Sequence, residues 1–377
     1  MTVMKKTLLL CTVLLTFAFN SLYAQMLGTE KYDRFYPGKL WFDTDGQIIN
    51  AHGGGLLLHE GTYYWFGEHK GEHSNAALVG VTCYASTDLY NWKNLGVAFS
   101  VSDEPGSPVE RGCTLERPKV IYNKKTGKFV MFFHLELKGQ GYNRANVGVA
   151  VADKPEGPYT FLKNGRVNPG KWPQNLDKTF KNKQFDKNHK GWSDEWRQDV
   201  AEGMMVQRDL EGGQMSRDMQ LFVDDDGKAY HIYSSEDNLT IQIAELTDDY
   251  LDYTGKYIRI DPAGHNEAPA LFKKDGKYFM ITSGCTGWAP NAARLLTADN
   301  IMGPWTRHDN PCRGKGADKT FNSQSTYILP LPNGKFIFMA DRWMPSNPID
   351  GRYVWLPIEW ESGMPVLRWH DQWRLEE

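Results

Sequence analysis

Short apolar runs separated by tight polar turns recur along this chain. Five times such a run meets a glycine turn and continues into an aromatic-rich strand: at Glu60-Gly61, Thr126-Gly127, Asp226-Gly227, Asp275-Gly276 and Asn333-Gly334. The strands that follow begin near Tyr63, Phe129, Tyr230, Tyr278 and Phe336. Asp-Gly or Asn-Gly between apolar runs marks a hairpin, because a two-residue primed turn needs positive φ, which glycine adopts without steric cost. Repetition at intervals of 49 to 100 residues predicts an all-β chain of five antiparallel units, a five-bladed β-propeller. The blades are expected at about 54–92, 118–161, 220–253, 269–305 and 325–369. A second echo supports the repeat: Ala85-Ser86-Thr87-Asp88, Ala150-Val151-Ala152-Asp153 and Leu296-Thr297-Ala298-Asp299 occupy third strands. Two of these lead into Gly157-Pro158-Tyr159 and Gly303-Pro304-Trp305.

The repeat also predicts a site. Counting back from each turn glycine, a polar residue stands at a nearly constant offset: His52 (9 back), Glu116 (11), Asp218 (9), Glu267 (9) and Gln324 (10). The first strand of each blade lines the axis of a propeller, so these five strand starts converge at one mouth. Three are carboxylic acids. Carboxyl groups facing each other across a narrow pocket suit glycoside hydrolysis, in which one acid protonates the leaving oxygen and a second polar group handles the attacking water. Burial and neighbouring negative charge keep such an acid protonated near neutral pH. Any one of them alone is more often a turn cap or an ion-pair partner; their shared register sets the group apart.

One stretch breaks the pattern. Residues 163–215 are rich in Lys, Asn, Gly and Trp and lack alternation, as in Lys171-Trp172-Pro173 and Gly191-Trp192-Ser193. An irregular insertion of this length in a compact domain is functional or disordered, and its tryptophans favour an ordered loop walling the pocket.

Composition narrows the setting. Lys5-Lys6, the apolar stretch Thr7 to Phe19 and Tyr23-Ala24 before Gln25 form a secretory signal peptide over residues 1–24, which leaves 25–377 as one catalytic domain. Cys11 lies inside the apolar stretch, which argues against a lipoprotein and favours the periplasm over export to the surface. No later apolar run reaches spanning length, and a net charge of -3 gives no case for nucleic acid. Cys83, Cys113, Cys285 and Cys312 permit disulfides without selecting a pairing. Thirteen Trp and 18 Tyr supply flat rings that serve either as interblade core or as stacking surfaces for sugars. Asp224-Asp225-Asp226-Gly227 reads as a hairpin turn rather than a calcium loop, so no metal is required, and only a structural calcium ion is allowed for.

The segments Asn50-Ala51-His52-Gly53-Gly54-Gly55, Leu115-Glu116-Arg117-Pro118, Ser216-Arg217-Asp218, Asn266-Glu267-Ala268-Pro269, Thr286-Gly287-Trp288-Ala289-Pro290-Asn291 and Asn322-Ser323-Gln324-Ser325 resemble glycoside hydrolase family 43, most nearly its exo-β-1,3-galactanase branch. That resemblance implies an inverting enzyme acting on plant arabinogalactan or galacto-oligosaccharides, and a monomer is expected. It implies Glu267 as general acid and Asp218 as the carboxylate that tunes it. The family's usual base, an aspartate ahead of blade one, is missing where this chain has His52-Gly53. In the galactanase branch an amide from blade five takes that place, which here is Gln324, with Glu116 the competing base. Tyr142, Trp288 and Asn291 are implied to line the galactose subsite, with His52 beside them. Arg117 either contacts a hydroxyl or neutralises the acids, and His134, Asp341 and Trp343 approach the axis. Two other activities fit the same segments: α-L-arabinofuranosidase, and sugar binding without catalysis.

Overall fold

The computed structural model describes residues 31–376, so the expected signal peptide lies outside the described residues. Five antiparallel sheets form five blades, and four of them are four-stranded with strands adjacent in chain order. The fifth adds a short strand, Cys312–Arg313, parallel to Met364–Arg368. The first strands, His52–His59, Thr114–Asn123, Met219–Val223, Asn266–Lys274 and Gln324–Pro330, contact one another in cyclic order and close the ring. Blades one to four run a few residues beyond their expected limits, blade three reaching Ile260 because a fourth strand begins at Tyr253, while the four main strands of blade five end at Arg368, close to the expected limit. Among the described residues no helix is long and apolar enough to cross a membrane.

The glycine turns have two geometries. Glu60-Gly61 and Asp275-Gly276 are two-residue turns with positive φ at both positions, joining His59 to Thr62 and Lys274 to Lys277. The other three hairpins have longer loops in which only the glycine is left-handed. Between the blades the aromatic content becomes core: Trp65, Trp92 and Trp355 are buried together with Phe35, Tyr84 and Trp373. Such rings remove about 150–250 Å² each from water. Phe35 also exchanges backbone hydrogen bonds with Trp373, so the N-terminal segment is tied to the chain's other end beside blades one and five.

What aims residues at the mouth is a repeated defect in the first strands. The pairing of first and second strands slips by one residue between His52 and Gly55, Glu116 and Lys119, Glu267 and Ala270, and Ser325 and Tyr327. In three of these bulges the residue after the site position is left-handed: Gly53 (φ 60), Arg117 (φ 55) and Ala268 (φ 53). A bulge bends the strand and re-aims a side chain. Holding arginine or alanine there costs about 1–3 kcal/mol each.

Candidate active site

The bulged strand starts surround a cavity of about 250 Å³. Glu116, Asp218, Glu267 and Gln324 all line it, together with Arg117, Tyr142 and Trp288. His52 does not. Its ring is buried, stacked on Tyr353 with centroids 5.1 Å apart, and Nδ1 stands 3.7 Å from Asp341. Asn291 is likewise occupied, bracing its loop through Gly284 and Thr286, and it faces a neighbouring depression rather than the cavity. Neither side chain lines the cavity itself: His52 is buried behind it, and Asn291 braces the loop that carries Trp288.

Arg117 is the hub. Its Nη2 donates to Asp218 Oδ2 at 2.8 Å and to Gln324 Oε1 at 2.6 Å, while Nη1 donates to the Ser325 carbonyl at 3.0 Å. Of its two expected roles, neutralising the acids is the one these bonds serve. Glu267 Oε1 accepts from Asn238 Nδ2 at 2.8 Å, and Oε2 stands 3.5 Å from Gln324 Nε2. Burial, then the negative charge of Asp218, push the Glu267 carboxyl up to about 7 against the opposing pull of Arg117. Both carboxyl oxygens thus face amide donors, the closer on Oε1.

Gln324 is pinned by chemistry. Its oxygen accepts from Arg117 and, at 2.9 Å, from Trp343 Nε1, both donor-only groups, so Nε2 must face Ser283 Oγ at 2.9 Å. Glu116 has a different environment. Oε1 accepts from the Tyr142 hydroxyl at 2.7 Å and Oε2 from His134 Nδ1 at 3.1 Å, and His134 Nε2 lies 3.0 Å from Glu136. Burial opposes the Glu116 charge, but the His134 hydrogen bond and charge, aided by Lys70 and Tyr142, outweigh it and hold the group down at about 2. The same bonds, working against burial, raise His134 to about 9.

The sequence argument missed Glu68. A Cβ on Gly53 would lie 2.1 Å from Glu68 Oε1, so the glycine at blade one leaves room for a carboxylate arriving from the adjacent strand. Glu68 accepts from the Arg117 backbone N–H at 2.9 Å and pairs with the buried Lys70 at 2.5 Å. The register supplies the missing signal. Residues opposite the strand starts form a second ring: Glu68 faces His52, His134 faces Glu116, Ser283 faces Glu267 and Asp341 faces Gln324. Glu68 and His134 reach the cavity, and Ser283 holds Gln324. Cys285 lies beside Glu267; all four described cysteines are free thiols. Among the described residues no group of three or more His, Cys, Asp or Glu is arranged to hold a metal ion.

The insertion is ordered, with helices at Asp194–Ala201 and Met204–Arg208, but none of its residues lines the cavity. It acts one layer out. The Val200 and Ala201 carbonyls accept from Arg259, whose guanidinium is paired with Glu236 through bonds of 2.6 and 2.7 Å. Glu236 begins a turn in which Glu236, Asp237 and Asn238 are all left-handed, with φ of 53, 57 and 65. Three consecutive non-glycine residues in that region persist only when their surroundings over-determine them. Here the buried ion pair does so, and the turn delivers Asn238 to Glu267.

Comparison with known proteins agrees with this geometry. The family model described as glycosyl hydrolases family 43 matches residues 198–365. A β-D-galactofuranosidase of Aspergillus niger is 30% identical over 337 residues, covering 88% of this chain and 83% of its own. A family 43 β-1,3-galactosidase solved with galactodeoxynojirimycin is 60% identical, with a TM-score of 0.89, over 90% of this chain and 100% of that one. An exo-β-1,3-galactanase from Phanerochaete chrysosporium solved with β-1,3-galactotriose is 32% identical, with a TM-score of 0.73, over 91% of this chain and 68% of that one.

Proposed function

Because this chain belongs to glycoside hydrolase family 43 and is an inverting glycosidase, we propose that it removes terminal galactose from β-1,3-linked galactan of the arabinogalactan type. The observation that carries the reading is a single cavity of about 250 Å³ with a raised carboxyl, Glu267, on one wall and aromatic Tyr142 and Trp288 beside it. A pocket of that size suits one terminal sugar ring. The 60% identity to a β-1,3-galactosidase supports galactose as that ring. The basic and apolar start of the chain supports export to the periplasm as the working location.

In this mechanism Glu267 gives its carboxyl proton to the glycosidic oxygen. Asp218 keeps that proton in place by its charge, and Arg117 prevents the two acids from repelling the fold apart. Gln324 is the residue we assign to the attacking water, with Ser283, Arg117 and Trp343 fixing the direction of its amide; as water bonds to the anomeric carbon and the glycosidic bond breaks, the water's proton passes to the amide oxygen and an Nε2 proton leaves toward Ser283 Oγ, through the imidic-acid form. Groups that flank a sugar in an inverting enzyme stand about 6.5–9.5 Å apart, so the 3.5 Å contact between Gln324 and Glu267 must open when sugar and water enter. A second reading rests on the depressed Glu116, which stays ionised and is the better base by charge.

Two experiments test these assignments. Release of α-configured galactose from β-1,3-galacto-oligosaccharide, followed by proton NMR, is the expected first product; release of arabinose alone from arabinan would replace the substrate. Gln324→Ala is expected to lower kcat by about 10²-fold or more, the scale of a lost proton-handling group. Near-normal turnover in Gln324→Ala combined with loss in Glu116→Gln at unchanged KM would move the base to Glu116.

The pH profile gives a further prediction. Glu267 must carry its proton to act, so kcat/KM on the oligosaccharide is expected to fall as pH rises through about 7. Asp218→Asn removes a charge that raises the Glu267 pKa, so the falling limb should move to lower pH. A limb that stays put in Asp218→Asn would detach it from Glu267.

A further inference from the structure

The insertion lies on the mouth face of the propeller. Blade two's last strand, Thr160–Gly165, runs up to that face, and Met219–Val223 descends from it, so the segment between them begins and ends there. On this segment Trp192 has three unusual properties together. It is half exposed (51%), it holds a left-handed φ of 73, and its ring is fixed from three sides. Trp196 lies at 5.2 Å, His265 at 4.9 Å, and the Arg197 guanidinium at 5.3 Å. A bulky side chain at positive φ is a true outlier, and such outliers cluster at ligand clamps.

Its neighbours connect it to the acid. His265 stands two residues before Glu267, and its N–H donates to the Leu239 carbonyl, next to the Asn238 that holds Glu267. In an inverting glycosidase the general acid faces the leaving oxygen, so the rest of the polymer departs on the acid's side. The cavity has room for about one ring, which leaves the following sugars to the rim. We propose that Trp192 is a stacking platform for a sugar in the leaving portion of the chain, a neutral β-linked pyranose beyond the first leaving residue. The proposal rests on the galactan reading above. The indole offers one flat face to the apolar side of a pyranose while Arg197, Trp196 and His265 hold its angle, so little ordering entropy is lost on binding.

The test compares short and long substrates with the full-length enzyme. Trp192→Ala is expected to raise KM for β-1,3-galactohexaose by about three- to tenfold, the value of one aromatic contact, with kcat and β-1,3-galactobiose hydrolysis unchanged. Trp192→Tyr, which keeps a flat ring, should restore most of the long-chain preference, and thermal melting of both variants checks the fold. Equal losses on both substrates, or no loss on either, would overturn the platform alone. A wild-type enzyme that releases no galactose from either substrate overturns the galactan reading and the platform with it.

Discussion

Glu267→Gln is expected to lower kcat on β-1,3-galactobiose by about 10²–10⁴-fold, the range of a lost general acid. The amide keeps the shape and can still meet Asn238, but it has no acidic proton to give. On a galactoside with an activated aryl leaving group the loss should be far smaller, because a weakly basic oxygen departs without protonation. Kinetics on the two substrates with one protein preparation check this. Equal losses on both would mean that Glu267 serves binding or folding instead. The prediction depends on environment rather than on residue type. Burial and the Asp218 charge bring Glu267 up to about 7, while Glu116, also buried, is held near 2 by His134. Two similar side chains in one cavity are thus shifted in opposite directions, so that near neutral pH Glu116 is ionised while Glu267 still holds its proton about half the time.

Arg117→Ala is expected to have the largest effect on stability, about 3–5 kcal/mol measured by denaturant unfolding, because it strands buried acceptors. Asp218 loses its charge partner, and Gln324 Oε1 and the Ser325 carbonyl each lose a donor. The kinetic signature separates this from simple unfolding. Arg117 pulls the Glu267 pKa down, so its removal should move the alkaline limb of kcat/KM to higher pH while the maximum falls. That is opposite to the shift expected for Asp218→Asn. Arg117→Lys should rescue little, since a point-like ammonium does not reproduce the forked contact with Asp218 and Gln324. A limb that moves down in Arg117→Ala would show that the guanidinium acts on Glu267 through something other than its charge.

Both predictions depend on residues whose neighbours differ in how plainly they appear in the chain. Glu116, Asp218, Glu267 and Gln324 were legible because each stands at a fixed distance from a turn glycine, and periodicity survives in one dimension. Glu68 was not, since its place depends on a strand register and on the missing Cβ of Gly53. His52 kept the right offset yet is buried against Tyr353, because a spacing rule does not carry side-chain direction. The insertion was legible as an exception to the repeat, but its action through Arg259 and Glu236 was not. Those residues are 23 apart in the chain and meet the helix only in space.

The sequence by itself determined the five blades, the mouth at which they converge and the types of group gathered there, because alternation, turn glycines and offsets are local properties that repeat. Tertiary structure alone decided which carboxyl keeps its proton, which polar side chains face the cavity and how Arg117 and Asn238 hold Glu267. Those outcomes come from desolvation and from charges a few ångströms apart, brought together by strands as distant in the chain as blades one and five.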